Sequence, residues 1–175
     1  MGNCLGELRI ITTKEAVDFL LPKHYSGRKP NISRAFGWYI DDELVAVCTF
    51  GKPASRTLCS GIMKGEYSEC VYELNRLCRI ETFNGQLSKF VGACLREVAK
   101  NNWIVVSYAD TGMKHNGYIY QATNFYIQVQ QKKEPTNIQR VINIQDTMII
   151  VSKTEDARLG HLNTDMSILQ LITNV

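Results

Sequence analysis

Trp103 to Ala109 is a nearly continuous apolar run closed by Asp110. A strand with so little polar alternation is buried on both faces, so the sheet that holds it needs a covering layer on each side. One layer is written just upstream. Leu87, Phe90, Val91, Cys94, Leu95 and Val98 recur at helical spacing, and the pattern stops at Lys100-Asn101-Asn102. Before that helix, Cys70 to Ile80 alternates as a strand, with Val71, Glu73, Asn75 and Leu77 on one face and Tyr72, Leu74, Arg76 and Cys78 on the other. Polar residues on both faces of a central strand mark a candidate site. The turn Thr82-Phe83-Asn84-Gly85 joins this strand to the helix.

The rest of the chain fits one layered domain. Thr12 and Glu15 have capping-box spacing ahead of Ala16, Val17, Phe19, Leu20 and Leu21, which predicts a helix from about Thr13 that stops at Pro22. His24 to Ser33 reads as a basic loop, with Gly27, Pro30 and Asn31 among Lys23, Arg28, Lys29 and Arg34. Phe36–Ile40 and Leu44–Phe50 read as a hairpin turned by Asp41-Asp42-Glu43, after which Gly51, Pro53 and Gly61 mark a break. Asn116 to Tyr126 reads as a short helix feeding a strand, Val141 to Val151 as a strand or hairpin arm, and Ser167 to Ile172 as a terminal helical turn.

With 175 residues, 45% of them hydrophobic, the chain suits a single domain over 1–175 with one sizeable core. No apolar run is long enough for a membrane span, and no export signal is visible, so the expected setting is the bacterial cytoplasm with no membrane partner. Cys4, Cys48, Cys59, Cys70, Cys78 and Cys94 show no Cys-x-x-Cys spacing and read as reduced core thiols. The formal charge of +3 suits a polyanionic partner without requiring one.

Helix, hairpin, long strand, turn opening a helix, buried strand and short helix form the element order of GNAT-type acyltransferases. The expected fold class is therefore α/β, with a central mixed, largely antiparallel sheet flanked by helices. Such folds offer the helix N-terminus after the central strand to a phosphate. Here that position reads Phe83-Asn84-Gly85-Gln86-Leu87-Ser88, making Asn84, Gly85, Gln86 and Ser88 the cofactor-binding candidates. Ordinary turn chemistry is the competing reading, since the usual glycine-richer signature is absent.

Several local strings occur in series: His24-Tyr25-Ser26-Gly27-Arg28 with Pro30, Phe50-Gly51-Lys52-Pro53, Tyr72-Glu73-Leu74-Asn75-Arg76-Leu77-Cys78, and Ser107-Tyr108-Ala109-Asp110 followed by His115, Gly117 and Ile119-Tyr120-Gln121-Ala122-Thr123-Asn124-Phe125. Over about residues 20–128 this series resembles the Mom family of phage DNA-modification proteins; nothing recognisable lies in 131–175. The resemblance implies a GNAT-like fold and conversion of adenine in DNA to its N6-carbamoylmethyl derivative, shielding phage DNA from restriction. It carries functional positions over to Tyr25, Arg76, Ser88, Asp110 and Tyr120.

Each position has a chemical reading and a structural competitor. Asp110, at the C-terminal end of a buried strand, would accept a proton from the adenine amino group or orient it, or merely cap a turn. Tyr120 would protonate a departing thiolate, stack on a base, or be an ordinary core tyrosine. Arg76 would hold a phosphate or carboxylate in its planar fork, or pair with Glu73 or Asp110. Tyr25, among cations, suits a nucleic-acid surface or a plain loop. No metal is expected; His24 and His115 are the weak candidates.

The leading expectation is an enzyme that transfers an acetamido-type group to adenine N6 in DNA, with DNA and a small-molecule donor as partners. The alternatives are a conventional acyl-CoA N-acyltransferase acting on a small-molecule or protein amine, and a non-catalytic nucleic-acid-binding module. The fold implies acetyl-CoA or a related acyl donor, whereas the family's product is joined through a methylene carbon. That leaves the donor open.

Overall fold

The computed structural model describes residues 6–61, 66–83, 87–110, 117–123, 125–129 and 147–152, with the backbone alone described for 109–110, 126–129 and 147–152. The elements in order are β1 (Glu7–Ile11), α1 (Thr13–Leu20), β2 (Arg34–Ile40), β3 (Glu43–Gly51), α2 (Arg56–Gly61), β4 (Val71–Arg79), α3 (Leu87–Ala99), β5 (Ile104–Asp110), α4 (Tyr118–Gln121), β6 (Phe125–Val129) and β7 (Thr147–Ser152). Among the described residues the strands form one seven-stranded sheet in the order β1-β2-β3-β4-β5-β7-β6. Every neighbouring pair is antiparallel except β4 and β5, which are parallel and joined through α3.

The local signals explain most of these elements. Thr12 and Glu15 cap α1 reciprocally: Thr12 Oγ1 accepts from the Glu15 N–H, and a Glu15 carboxylate oxygen accepts from the Thr12 N–H at 2.8 Å. Asp41 and Asp42 both adopt positive φ in the β2–β3 turn, the conformation that keeps a tight hairpin in register with strand twist. Two elements escape sequence reading. β1 is a charged edge strand, with Arg9 bonded to Glu7 and Asp42 and Ile10 67% exposed. α2 has six residues and buries none of them, so it leaves no apolar stripe to read. Within the expected C-terminal arm, β7 lies between β5 and β6; residues 141–146 and the expected turn over 167–172 lie outside the described residues.

The two faces of the sheet are packed separately. One carries Phe36, Ala46, Cys48, Phe50, Leu74 and Val105 against Phe90, Val91, Cys94 and Val98 of α3. The other carries Ile11, Ala35 and Val47 against Ala16, Phe19 and Leu20 of α1, with Val71 and Val106 in a smaller cluster beside α2. Each fully buried phenylalanine contributes about 1.5–3 kcal/mol. Cys48, Cys59, Cys70, Cys78 and Cys94 are all free.

Candidate active site

The site begins where a ladder stops. β4 and β5 pair over Val71↔Ile104, Tyr72↔Val105 and Glu73↔Val106 and no further. The next position would pair Leu74 with Ser107. There the buried Ser107 hydroxyl donates to Leu74 O at 3.0 Å, a side-chain bond in place of a backbone one. From that point toward their C-terminal ends the two strands separate, β5 continuing against β7 through Ser107–Asp110. An opening of this kind, at the C-terminal ends of parallel strands, is where α/β folds collect ligands.

β4 then changes the side its residues present. Its register with β3 runs Phe50↔Leu74 and Thr49↔Arg76, which leaves Asn75 as an extra, bulged residue. The strict alternation expected for this strand, with Asn75 opposite Arg76, is corrected here. Arg76 shares the Thr49 side by register, and Thr49 Oγ1 donates to Asn75 Oδ1 at 2.7 Å. Glu73, opposite Gly51 and Val106, lies on the same side. The bulge therefore gathers Glu73, Asn75 and Arg76 on the α1 face, while Leu74 and Leu77 remain with α3. Asn75 also ties down the basic loop, since its Nδ2 donates to Asn31 O at 2.7 Å. Only glycine fits opposite: a Cβ on Gly51 would lie 1.9 Å from Asn31 O.

Of the two carboxylates that the competing reading offered Arg76, Glu73 makes no ion pair with it, and the Asp110 side chain lies outside the described residues. Among the described residues Arg76 makes no ion pair; its Nη1 donates to Asn75 O at 2.6 Å, and its buried Nε has no partner. Glu73 is half-buried, and burial raises its carboxyl above the usual carboxylate range, with the nearby Arg76 cation opposing. Tyr108 sits two positions past Val106 on that side, its hydroxyl pushed up to about 12 by burial, with Glu73 and then Cys59 adding to the shift.

Tyr120 closes the opening from α4. Gly117 adopts φ +71° at the start of this helix, a turn that glycine makes without strain. Tyr120 packs edge-on against Phe125 at 5.3 Å between centroids. Burial raises its hydroxyl above the usual tyrosine range, a hydrogen bond with Ser107 opposes the shift, and Cys48, Tyr25 and Glu73 lie close enough to add to it. A hydroxyl held in its neutral form is suited to donating a proton at neutral pH. Tyr25, 54% exposed, stacks on the His24 ring at 4.5 Å, and the His24 ring is fixed by Ser26, whose N–H donates to Nδ1 at 3.2 Å.

Of the sequence candidates, Tyr120 packs with the α3-side cluster and lies close to Tyr25 and Glu73, while Arg76 stands on the α1 side close to Glu73. Asp110 ends β5 opposite Thr147, and Ser88 is the second residue of α3. Asn84, Gly85, Gln86 and His115 lie outside the described residues. Among the described residues no three His, Cys, Asp or Glu side chains converge as a metal site, and no helix is long and apolar enough to cross a membrane. Sequence reading missed two residues. Glu73 had figured only as a counter-ion, although an acid in an apolar strand beside Asn75 and Arg76 was the available signal. Ser107 was hidden inside the apolar run.

A sheet opened between its fourth and fifth strands, with a helix crossing between them and a tyrosine on the next short helix, is the GNAT acetyltransferase fold, and solved structures agree. YncA of Salmonella typhimurium, solved with acetyl-CoA, superposes with a TM-score of 0.60 at 10% identity over 93% of this chain and 99% of that one. An N-acetyltransferase of Staphylococcus aureus gives 0.55 at 10% identity over 86% and 99%. A Bacillus subtilis acetyltransferase in complex with CoA gives 0.50 at 17% over 83% and 95%. Curated proteins give no significant sequence match. The Mom protein family matches residues 7–174, and the chain belongs to that family.

Proposed function

We propose that this protein is a DNA-modifying transferase that attaches an acetamido-type group to the exocyclic N6 of adenine, protecting phage DNA from restriction. The observation that carries the reading is the opening between β4 and β5 in a chain of the Mom family, with the Tyr120 hydroxyl bonded to Ser107 where the ladder stops and a buried, unpartnered Arg76 Nε on β4 beyond that point. An adenine in a duplex would have to leave the stack for N6 to reach that opening. The basic loop that carries Tyr25, Arg28 and Lys29 would meet the backbone phosphates.

Within the opening, Arg76 supplies a planar donor fork to a carbonyl or anionic group of the donor molecule. Tyr120 supplies the proton that a leaving group requires, and Asp110 orients or deprotonates the amine. The donor phosphates would rest at the start of α3, on Asn84, Gly85, Gln86 and Ser88. The reaction joins N6 to a methylene carbon, so the electrophile differs from a thioester carbonyl.

A second reading is favoured by the neighbours solved with acetyl-CoA and CoA: acyl transfer from a CoA thioester to an ordinary amine. Mass spectrometry of nucleosides from DNA co-expressed with the protein separates the two. A new adenine species of carbamoylmethyl mass is expected. Unmodified adenine under good soluble expression would remove the DNA reading.

A further inference from the structure

The α1 side of the opening holds polar groups with unequal freedom to bind a base. Asn75 carries the amide that would ordinarily read adenine through paired donor and acceptor contacts. Both its ends are occupied, Oδ1 by Thr49 and Nδ2 by Asn31 O. Arg76 offers donors only, and Tyr108 a single hydroxyl. Glu73 differs from all of these. It stands at the last paired position of β4, between Gly51 and Val106, so no side chain rises beside it from Gly51. Among the described residues its carboxyl makes no hydrogen bond, and Tyr108 and Tyr120 lie close on the β5 and α4 sides.

Resting on the adenine reading above, we propose that Glu73 is the residue that grips the adenine edge, its carboxyl O–H donating to N1 while its carbonyl oxygen accepts from an N6–H. A protonated carboxyl presents one donor and one acceptor side by side, matching the N1 acceptor and N6–H donor of the Watson–Crick edge. Half-burial in the apolar surroundings of Val71 and Val106 favours that neutral form. The contact would hold N6 near Tyr120, which makes Glu73 a specificity residue as well as an orienting one.

The test is binding, which needs no group donor. Fluorescence anisotropy of a short labelled single strand with one adenine among thymines gives the affinity. The same strand is then made with 1-deazaadenine, which keeps N6 and loses N1, and with 7-deazaadenine, which alters only the other edge. The wild-type protein should bind the 1-deaza strand about 5- to 100-fold more weakly and the 7-deaza strand equally well. Glu73→Ala should bind all three alike, at the weakened affinity. Glu73→Gln, whose amide also pairs a donor with an acceptor, should restore the preference for N1. Equal wild-type affinity for adenine and 1-deazaadenine overturns the contact, and so does a Gln variant that discriminates no better than Ala. Because the first comparison uses the unaltered protein, a misfolded variant cannot mask the result. Modified adenine in co-expressed DNA together with a failed 1-deaza arm would sink this contact alone, whereas unmodified adenine takes both readings down.

Discussion

β4 and β5 are two different structures along one pair of strands. In their paired half, Val71, Ile104 and Val106 seal one face. On the other, Tyr72 stacks on Trp103 at 3.6 Å, flanked by Lys52 at 4.0 Å from the Tyr72 ring and Arg34 at 5.6 Å from Trp103. In the parted half, a serine hydroxyl takes over a ladder position, an asparagine bulges, and an arginine nitrogen is buried without a partner. The difference teaches that this site is not a hole hollowed from a core. It is a ladder left unfinished, and polar residues, some of them bonded and some free, interrupt the pairing where the proposed chemistry falls.

The strongest way to sharpen that contrast is Tyr120→Phe. Removing one hydroxyl from the parted half should cut the yield of modified adenine about 100-fold or more, with thermal stability close to wild type. Retained yield would mean that the Tyr120 hydroxyl only packs. The paired side should respond in the opposite sense. Val71, fully buried and paired with Ile104, should cost about 1.5–3 kcal/mol of stability as Val71→Ala, read from the urea midpoint. A stable Val71→Ala protein would break the division between a structural half and a chemical one.

Asn75→Ala acts between these extremes. It removes both of the bonds that lock the bulge to Thr49 and to Asn31, at a cost of about 1–3 kcal/mol. Amide exchange should quicken over residues 22–33, and the yield of modified adenine should fall because Tyr25 rides on that loop. If exchange there is unchanged, the bulge does not hold the loop.

What could be read beforehand follows from where each signal is stored. The apolar run of Trp103–Ala109, the stripe of α3 and the Thr12–Glu15 box are local patterns, so they were legible. The bulge was not. An extra residue at Asn75 is defined by the register of β3, and nothing in Val71–Arg79 alone distinguishes it from plain alternation. That single residue decides whether Glu73 and Arg76 share a side. Likewise Ser107 was one letter of an apolar run until its hydroxyl was seen on Leu74 O. The fold was stored in periodicity, whereas the site was stored in pairings between strands distant in sequence.

The smallest expected effect tests the cost of placing an acid at the last paired rung. Burial raises the Glu73 carboxyl above its unfolded value, so the folded state holds its proton more tightly than the unfolded state does. Between those two values stability falls as pH rises, and the whole cost is present only above the folded value. Below the unfolded value both states are protonated and the cost vanishes. Glu73→Gln should therefore melt slightly higher than wild type at pH 7, with a gain below about 1 kcal/mol because the group is half-exposed and screened. The two proteins should converge near pH 3. A Gln variant that is less stable at pH 7 would show that the ionised carboxylate holds the strands together there, and Glu73 would then belong with the paired half rather than with the opening.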